Sequence, residues 1–352
     1  MLESLYKTTL DKKDTIDDDL DGFFDEDFSV DCWNDFKIEK RDLDFIISGS
    51  DGSYNNINYI GFILYAVGAN CLVFQGNGLE QIECSEVSTI LPYKYIRDRL
   101  RNYMSILEFK SILKAFNQYS IDLHLYDGSI LGNIIRPISY AYDPNFNSKK
   151  EIEDIYIPII QNEIKTGSKI NLTSPQLYKS IEEDFTENKL ESIIHLEWLE
   201  NIISAYELLK NNRNIVAISK TSLSHEIFDL NVPDMAVFDK YCVNQGYSEP
   251  LHFKISKSKR SLPIYNKFFR NLDFTVFYVR LEDYKHVLKF EIPYKASKKD
   301  VNKLLEMIKS ISTDGYPYLL KKAHHSVVIK DRDMDRISKM LGLHGKDPRG
   351  ML

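Results

Sequence analysis

The chain carries the tripeptide Asp-Gly-Ser twice, each time at the end of an apolar, strand-like run. Asp51-Gly52-Ser53 follows the run Leu43 to Ser50, and Asp127-Gly128-Ser129 follows Ile121 to Tyr126. A carboxylate at a strand end, with a glycine free to turn the backbone, is ordinary turn chemistry when it occurs once. Two such strands in one half of a chain can bring both carboxylates to one edge of a sheet. Hard divalent cations such as Mg²⁺ and Mn²⁺ need that arrangement, because they choose oxygen ligands and paired carboxylates supply the charge. Turn chemistry and metal chemistry are the two uses open to these aspartates.

The chain's 352 residues suffice for one large domain or two ordinary ones. Hydrophobic content of 43% and charged content of 28% are those of a soluble globular protein. Its 22 tyrosines and 19 phenylalanines suit core packing or stacking on bases. Cys32, Cys71, Cys84 and Cys242 are scattered without a CxxC pair, which excludes a disulfide framework and a zinc ribbon and points to a reducing compartment. The start Met1-Leu2-Glu3-Ser4 lacks the pattern of a signal peptide. The apolar stretch Tyr59 to Phe74 is broken by Gly61, Gly68 and Asn70 and reads as a buried hairpin rather than a membrane span. A cytoplasmic protein without membrane contact is expected.

The net charge of −7 argues at first against a nucleic-acid partner. Residues 11–35, however, hold eleven acids against Lys12 and Lys13, a net of −9, so the rest of the chain carries +2. Residues 1–40 thus read as an acidic, solvated leader. Its Phe23, Phe24, Phe28 and Trp33 leave a docking role open.

From Phe45 to about Gln75 the pattern is an antiparallel meander: Phe45-Ile46-Ile47, then Ile57 to Val67, a turn at Gly68-Ala69-Asn70, and Cys71 to Phe74. Ile82 to Ile90 is expected to add a strand. A helix is predicted from about Tyr93 to Gln118, with Ile96, Leu100, Tyr103 and Leu107 on one stripe and Met104, Glu108, Ser111 and Ala115 on the next. Glu108 is either an exposed, salt-bridged residue or an acid turned to the sheet that needs a partner or a metal. Residues 138–190 are polar and read as an insertion. Ser192 to Leu209 is an amphipathic helix and, with the aromatic leader, a candidate dimer surface.

Ile215 to Ile218 is a buried-type strand, followed by Ser219-Lys220-Thr221, where Lys220 is either exposed or a point charge for a phosphate. Phe274 to Leu281 and Val287 to Ile292 form a hairpin. Residues 252–270 concentrate Lys254, Lys257, Lys259, Arg260, Lys267 and Arg270 with Phe253, Tyr265, Phe268 and Phe269, which suits a nucleic-acid track or a solvated loop. Pro317 opens a last helix bearing His324 and His325, two histidines for one role.

The order strand-end Asp, helix Glu, strand-end Asp and late His is the layout of an RNase H-like nuclease. At these residues the chain resembles the NurA family of archaeal and bacterial nucleases. The matching pieces are Asp51-Gly52-Ser53, the helix bearing Glu108, Tyr126-Asp127-Gly128-Ser129, Ala217-Ile218-Ser219-Lys220-Thr221, and Gly315-Tyr316-Pro317 leading to Ala323-His324, spread over roughly residues 45–330. The resemblance implies an α/β fold, an RNase H-like mixed sheet of antiparallel meander plus parallel strands flanked by helices, with a helical insertion. The nuclease domain would span residues 41–340, with the insertion at 138–190 and a tail at 341–352.

It implies that Asp51, Glu108 and Asp127 form the carboxylate core, with Lys220, Tyr316 and His324 completing the site and His324 a possible fourth metal ligand. It also implies a Mn²⁺-dependent (Mg²⁺ possible) 5′ to 3′ exonuclease and single-strand endonuclease for DNA. Such an enzyme works as a homodimer with the hexameric HerA translocase in double-strand-break end resection. An RNase H-like nuclease for RNA or damaged DNA, and a non-catalytic scaffold of the translocase, are the other readings.

Overall fold

The computed structural model of the chain describes residues 2–22, 28–42, 44–76, 78–91, 95–136, 146–185, 188–255 and 262–343. After an N-terminal helix α1 (Glu3–Asp21) and a short strand β1 (Trp33–Asp35), three long strands form the meander: β2 (Ile47–Asn58), β3 (Ile63–Gln75) and β4 (Gly78–Ile90). Helix α2 (Ile96–Gln118) leads to β5 (Leu123–Asp127) and α3 (Ile130–Ile135). Helices α4 (Phe146–Thr166), α5 (Tyr178–Asp184) and α6 (Lys189–Leu209) precede β6 (Ile215–Ser219). Next come α7 (Asp234–Tyr241), β7 (Gly246–Ser248), β8 (Leu251–Lys254), α8 (Asn266–Asn271), β9 (Asp273–Arg280) and β10 (Leu288–Ile292). Helix α9 (Lys298–Ser310), the small ladder β11 (Ser312–Thr313) and β12 (Tyr316–Pro317), α10 (Tyr318–Val327) and α11 (Asp331–Met340) complete it.

One ten-stranded sheet runs in the order β1, β7, β9, β10, β6, β5, β2, β3, β4, with β8 paired to β9. β2, β5 and β6 are parallel, and the other pairings are antiparallel. This is the expected mixture of meander and parallel strands. Helices α2 and α6 cover one face, and α9 and α10 the other.

The turns of the meander lie elsewhere than the glycines suggest. β2 runs straight through Asp51-Gly52-Ser53, and β3 runs through Gly68-Ala69-Asn70, with Asp51 opposite Asn70, Gly52 opposite Ala69 and Ser53 opposite Gly68. Two runs of small residues that each look like a turn are instead partners in one ladder. On β2 the glycines let helices press on both faces: a Cβ on Gly49 would lie 3.2 Å from Leu319 of α10, and one on Gly52 2.6 Å from Met104 of α2. The chain reverses at residues 59–62 and at Gly76, whose φ is +57°. The second Asp-Gly-Ser is a true strand end, with Gly128 at φ +119° and the Ser129 hydroxyl capping α3 by accepting from Gly132 N at 2.7 Å.

Two other expectations change. Helix α6 is buried nearly all round, because α2 and β6 pack on one side and α4 on the other, and it presents no free apolar face for dimerisation. The leader is not wholly apart either. β1 pairs with β7, Phe28 packs on Phe228 and Tyr241, Trp33 packs on Phe238, and Ile38 lies in the main core. The chain's own α7 region thus receives Phe28 and Trp33, whereas Phe23 and Phe24 lie outside the described residues. Helix α1, by contrast, exposes Leu5, Tyr6 and Leu10. Among the described residues no helix is long and apolar enough to cross a membrane.

Between β2 and β5 the ring of His124 bridges Ser48 Oγ (2.7 Å) and Ser50 Oγ (3.1 Å), fully buried. Burial pushes its pKa down to about 3, so the imidazole is neutral in the fold. The unfolded chain protonates the same residue near pH 6.5, so this stability is complete above about 6.5 and is lost as pH falls toward about 3. The midpoint of urea unfolding is expected to drop between pH 6.5 and 4.5, and His124→Gln to flatten that slope. Equal slopes would remove His124 as the cause.

Candidate active site

The acids gather at a notch. β5 ends beside β2 at the pair Ser50 and Tyr126, while β2 continues to Asn58 with that flank open. Side chains alternate along a strand. Asp51 therefore shares the α10 face with Gly49, and Gly52 faces α2. On the α10 face Asp51 Oδ2 meets His324 Nδ1 at 2.7 Å, and Asp51 Oδ1 accepts from Gly52 N at 2.8 Å. At the end of β5, Asp127 Oδ2 accepts from Lys220 Nζ (2.9 Å) and from the Tyr316 hydroxyl (3.2 Å). The Lys220 ammonium also lies 4.8 Å from the centre of the Tyr316 ring. Of the two histidines, His324 faces the acids.

Glu108 comes from the opposite face. It is 2% exposed, so the buried alternative holds, and its Oε2 accepts from the Tyr126 hydroxyl at 2.9 Å. Gly52 makes this possible: a Cβ there would stand 2.9 Å from Glu108 Cδ and Cγ. The glycine that looks like a turn is a window through which Glu108 approaches Asp51. Gly52→Ala is expected to displace Glu108, costing about 1–3 kcal/mol in thermal unfolding. Any Mn²⁺-dependent cleavage should fall at least about tenfold. Unchanged stability and cleavage would show that the window is not needed.

The carboxylates repel one another. Burial, then Asp127, raises the Asp51 pKa above the usual carboxylate range, against the bonds from His324 and Gly52. Burial and then Asp51 push Glu108 up to about 8. Burial and Asp127 hold the Tyr316 phenol far above its ordinary range, which makes it a donor and not a base. Asp51 and Glu108, each raised by its acidic neighbours, lie with Asp127 at a place a cation would relieve, and these oxygens with one imidazole suit a hard divalent ion such as Mn²⁺ or Mg²⁺. As the side chains stand, they are engaged by protein donors, and among the described residues no three His, Cys, Asp or Glu groups form a ready cage. Taking up an ion calls for Asp51 and Asp127 to turn from His324 and Lys220.

The basic segment lies apart from this cluster. Lys254 lies opposite Asp273 at the start of β9 and pairs with it at 3.6 Å. Ser219, beside Lys220, pairs with Lys289, which lies against Tyr278, five residues further along β9, about 17 Å. Lys267 and Arg270 sit on α8 near Arg213, which precedes β6, at the end of the sheet away from the acids. Lys257, Lys259 and Arg260 lie outside the described residues.

Three polar residues escape a reading of the sequence. The Tyr126 hydroxyl takes a hydrogen bond from Asn133 Nδ2 at 2.7 Å, so α3 holds Glu108 through Tyr126. Buried Glu291 accepts from Ser129 Oγ at 2.7 Å and from Leu131 N at 3.1 Å, anchoring the turn after Asp127. An acid inside the apolar strand Leu288–Ile292 is a usable signal for Glu291, and a tyrosine next to Asp127 one for Tyr126. Asn133 has none.

The fold and site define a mixed α/β protein with an acidic centre at the end of a parallel strand. The chain belongs to the NurA family: residues 45–329 match the NurA domain. It is 31% identical over 338 residues, 89% of this chain and 82% of the relative, to a Methanocaldococcus jannaschii protein described as a probable DNA double-strand break repair nuclease NurA. Its fold is similar to the crystal structure of the NurA nuclease from Sulfolobus solfataricus, with a TM-score of 0.74, 21% identity and 97% of each chain covered. It is also similar to a NurA crystal structure bound to dAMP and manganese, with a TM-score of 0.63, 16% identity and 99% and 98% of the two chains covered.

Proposed function

We propose that the chain is a metal-dependent DNA nuclease of double-strand-break repair, with Asp51, Glu108 and Asp127 as its metal ligands and His324 as a fourth. The observation that carries this reading is the convergence of three mutually repelling carboxylates at the notch between β2 and β5, with Lys220, Tyr316 and His324 around them. The names of the relatives and the manganese and dAMP in a structural neighbour support it. The order of meander and parallel strands supports the RNase H-like assignment. When bound, divalent ions would supply Lewis-acid activation of water and counter-charge for the phosphoryl group.

The chain's own residues do the rest. Lys220, half-exposed beside Asp127, is placed to hold the scissile phosphate, and Tyr316 donates a hydrogen bond. In hydrolysis a water oxygen bonds to phosphorus, the ester bond breaks, and the leaving oxygen takes up a proton. If His324 is not taken up as the fourth ligand, its half-exposed imidazole on Asp51 is placed to exchange that proton with solvent. A 5′ to 3′ exonuclease and single-strand endonuclease, a homodimer, and docking on a HerA-type hexameric translocase belong to the same reading.

End-labelled single- and double-stranded DNA and RNA, incubated with Mn²⁺, Mg²⁺ or EDTA, test the reading. We expect DNA cleavage with Mn²⁺ and none with EDTA. Intact DNA with Mn²⁺ overturns the nuclease, and cleavage of RNA alone favours the RNA-directed reading. Co-elution with the translocase at micromolar concentration tests the partner, and no shift removes it. Lys267→Glu with Arg270→Glu tests the basic segment as a more distant phosphate track: an unchanged salt dependence of DNA binding takes it off the DNA path.

A further inference from the structure

A second cleft opens next to the acids, between α2, α3 and α6, with a volume of about 50 Å³. Its walls include Arg101 and Ser105 of α2, Asn133 of α3 and Arg136 just after it, and Trp198 and Asn201 of α6. Arg101, Ser105 and Glu108 follow one another at helical spacing, so one face of α2 runs from the cleft to the carboxylates. Asn133 lines the cleft and also holds Tyr126 against Glu108. The two places share a wall.

The charges in the cleft are unequal. Arg99 is bound by Glu197 at 2.6 Å, and Arg101 has only a 3.6 Å pairing with Asp98 on the half-exposed helix surface. The Arg136 side chain is exposed and makes no hydrogen bond or ion pair with any described residue, and partial desolvation together with the nearby charge of Arg101 lowers its pKa. Two guanidiniums that repel one another are a standing site for an anion.

The geometry points to a phosphate subsite: the cleft receives a backbone phosphate of the DNA strand to one side of the scissile linkage, with Arg101 and Arg136 as its cationic walls. Seven residues of α2 separate Arg101 from Glu108, about 10 Å along the helix, or at most about three steps of a DNA strand. The inference rests on the nuclease reading for its place in the reaction. Its binding step can be measured without cleavage.

Anisotropy of a fluorescein-labelled oligothymidylate 15-mer in EDTA, over a series of salt concentrations, measures that step on the full chain. The double variant Arg101→Ala with Arg136→Ala is expected to raise Kd about tenfold. The salt slope should fall by about 0.7 for each arginine removed. Lysine at both positions should keep the slope, and the remote, exposed Lys37→Ala should change neither quantity. An unchanged Kd and slope in the double variant, or an equal loss with Lys37→Ala, overturns the subsite. With Mn²⁺, a neutral methylphosphonate one to three linkages from the cleavage point should slow the wild type at one position and add nothing in the double variant. Equal slowing in both proteins also overturns it. If the wild type binds through these arginines yet cuts nothing, the nuclease reading fails and the anion site stands.

Discussion

Asp51→Asn is expected to lower Mn²⁺-dependent DNA cleavage at least about a thousandfold, with the fold intact. The change keeps the shape of the side chain, and the amide oxygen can still accept from Gly52 N, which Asp51 Oδ1 now does at 2.8 Å. It removes one negative charge from a group of three, and with it both a ligand and the repulsion that helps raise Glu108. The metal-free variant should therefore be no less stable than the wild type. Added Mn²⁺ should raise the melting temperature of the wild type, since a ligand bound only by the folded state stabilises it by mass action, and should raise that of the variant far less. Cleavage within tenfold of wild type, or an equal rise in melting temperature, would remove Asp51 from the metal site.

The largest loss of stability is expected at a residue remote from the chemistry. Glu200 of α6 is wholly buried, and its Oε1 accepts from Lys110 Nζ of α2 at 2.6 Å and from Thr173 N at 2.7 Å. Its Oε2 accepts from Ser174 N at 2.7 Å. Burial opposes the charged form, yet Lys110 and the neighbouring donors hold the carboxyl below its ordinary range. Glu200→Ala leaves a buried ammonium with no counter-charge, held only by Asn171 O and Thr173 Oγ1, and two backbone amides without a partner, so it should cost about 3–5 kcal/mol in chemical denaturation. That is a large share of the 5–15 kcal/mol, roughly, that holds a protein folded. Replacing both members with apolar residues, Lys110→Met with Glu200→Leu, should recover the part owed to the unpaired ammonium, while the Thr173 and Ser174 amides stay unpaired. A loss below about 1 kcal/mol in Glu200→Ala would show that water reaches the pair. The pair matters to the site because it fastens α2, which carries Glu108, to α6.

What is legible in the residues and what is not divides along the range of the interactions. The parallel strands β5 and β6, the hairpin of β9 and β10, and helices α2 and α10 are readable, because apolar period and turn chemistry are local signals. The order of the acids, with Lys220, Tyr316 and His324 after them, is readable as a family pattern, and the six side chains meet. The first turn of the meander is misplaced by a local reading because Gly52 is small for a reason far away in the chain: Met104 and Glu108 of α2 leave no room for a Cβ there. The buried surroundings of α6 are likewise hidden, since its neighbours α2 and α4 are distant in sequence.

The two Asp-Gly-Ser tripeptides are alike as strings and have different uses. At Asp127 the glycine turns the chain out of a strand, as backbone freedom alone would have it. At Asp51 the backbone stays extended, and the missing Cβ lets Glu108 through from the opposite face. Residue types and their order singled out Asp51, Glu108 and Asp127 as candidates and left turn and metal chemistry both open. Which acids share one electrostatic neighbourhood, which histidine faces them and why Gly52 is a glycine were decided by packing, because charge repulsion and steric exclusion act through space between residues tens to hundreds of positions apart.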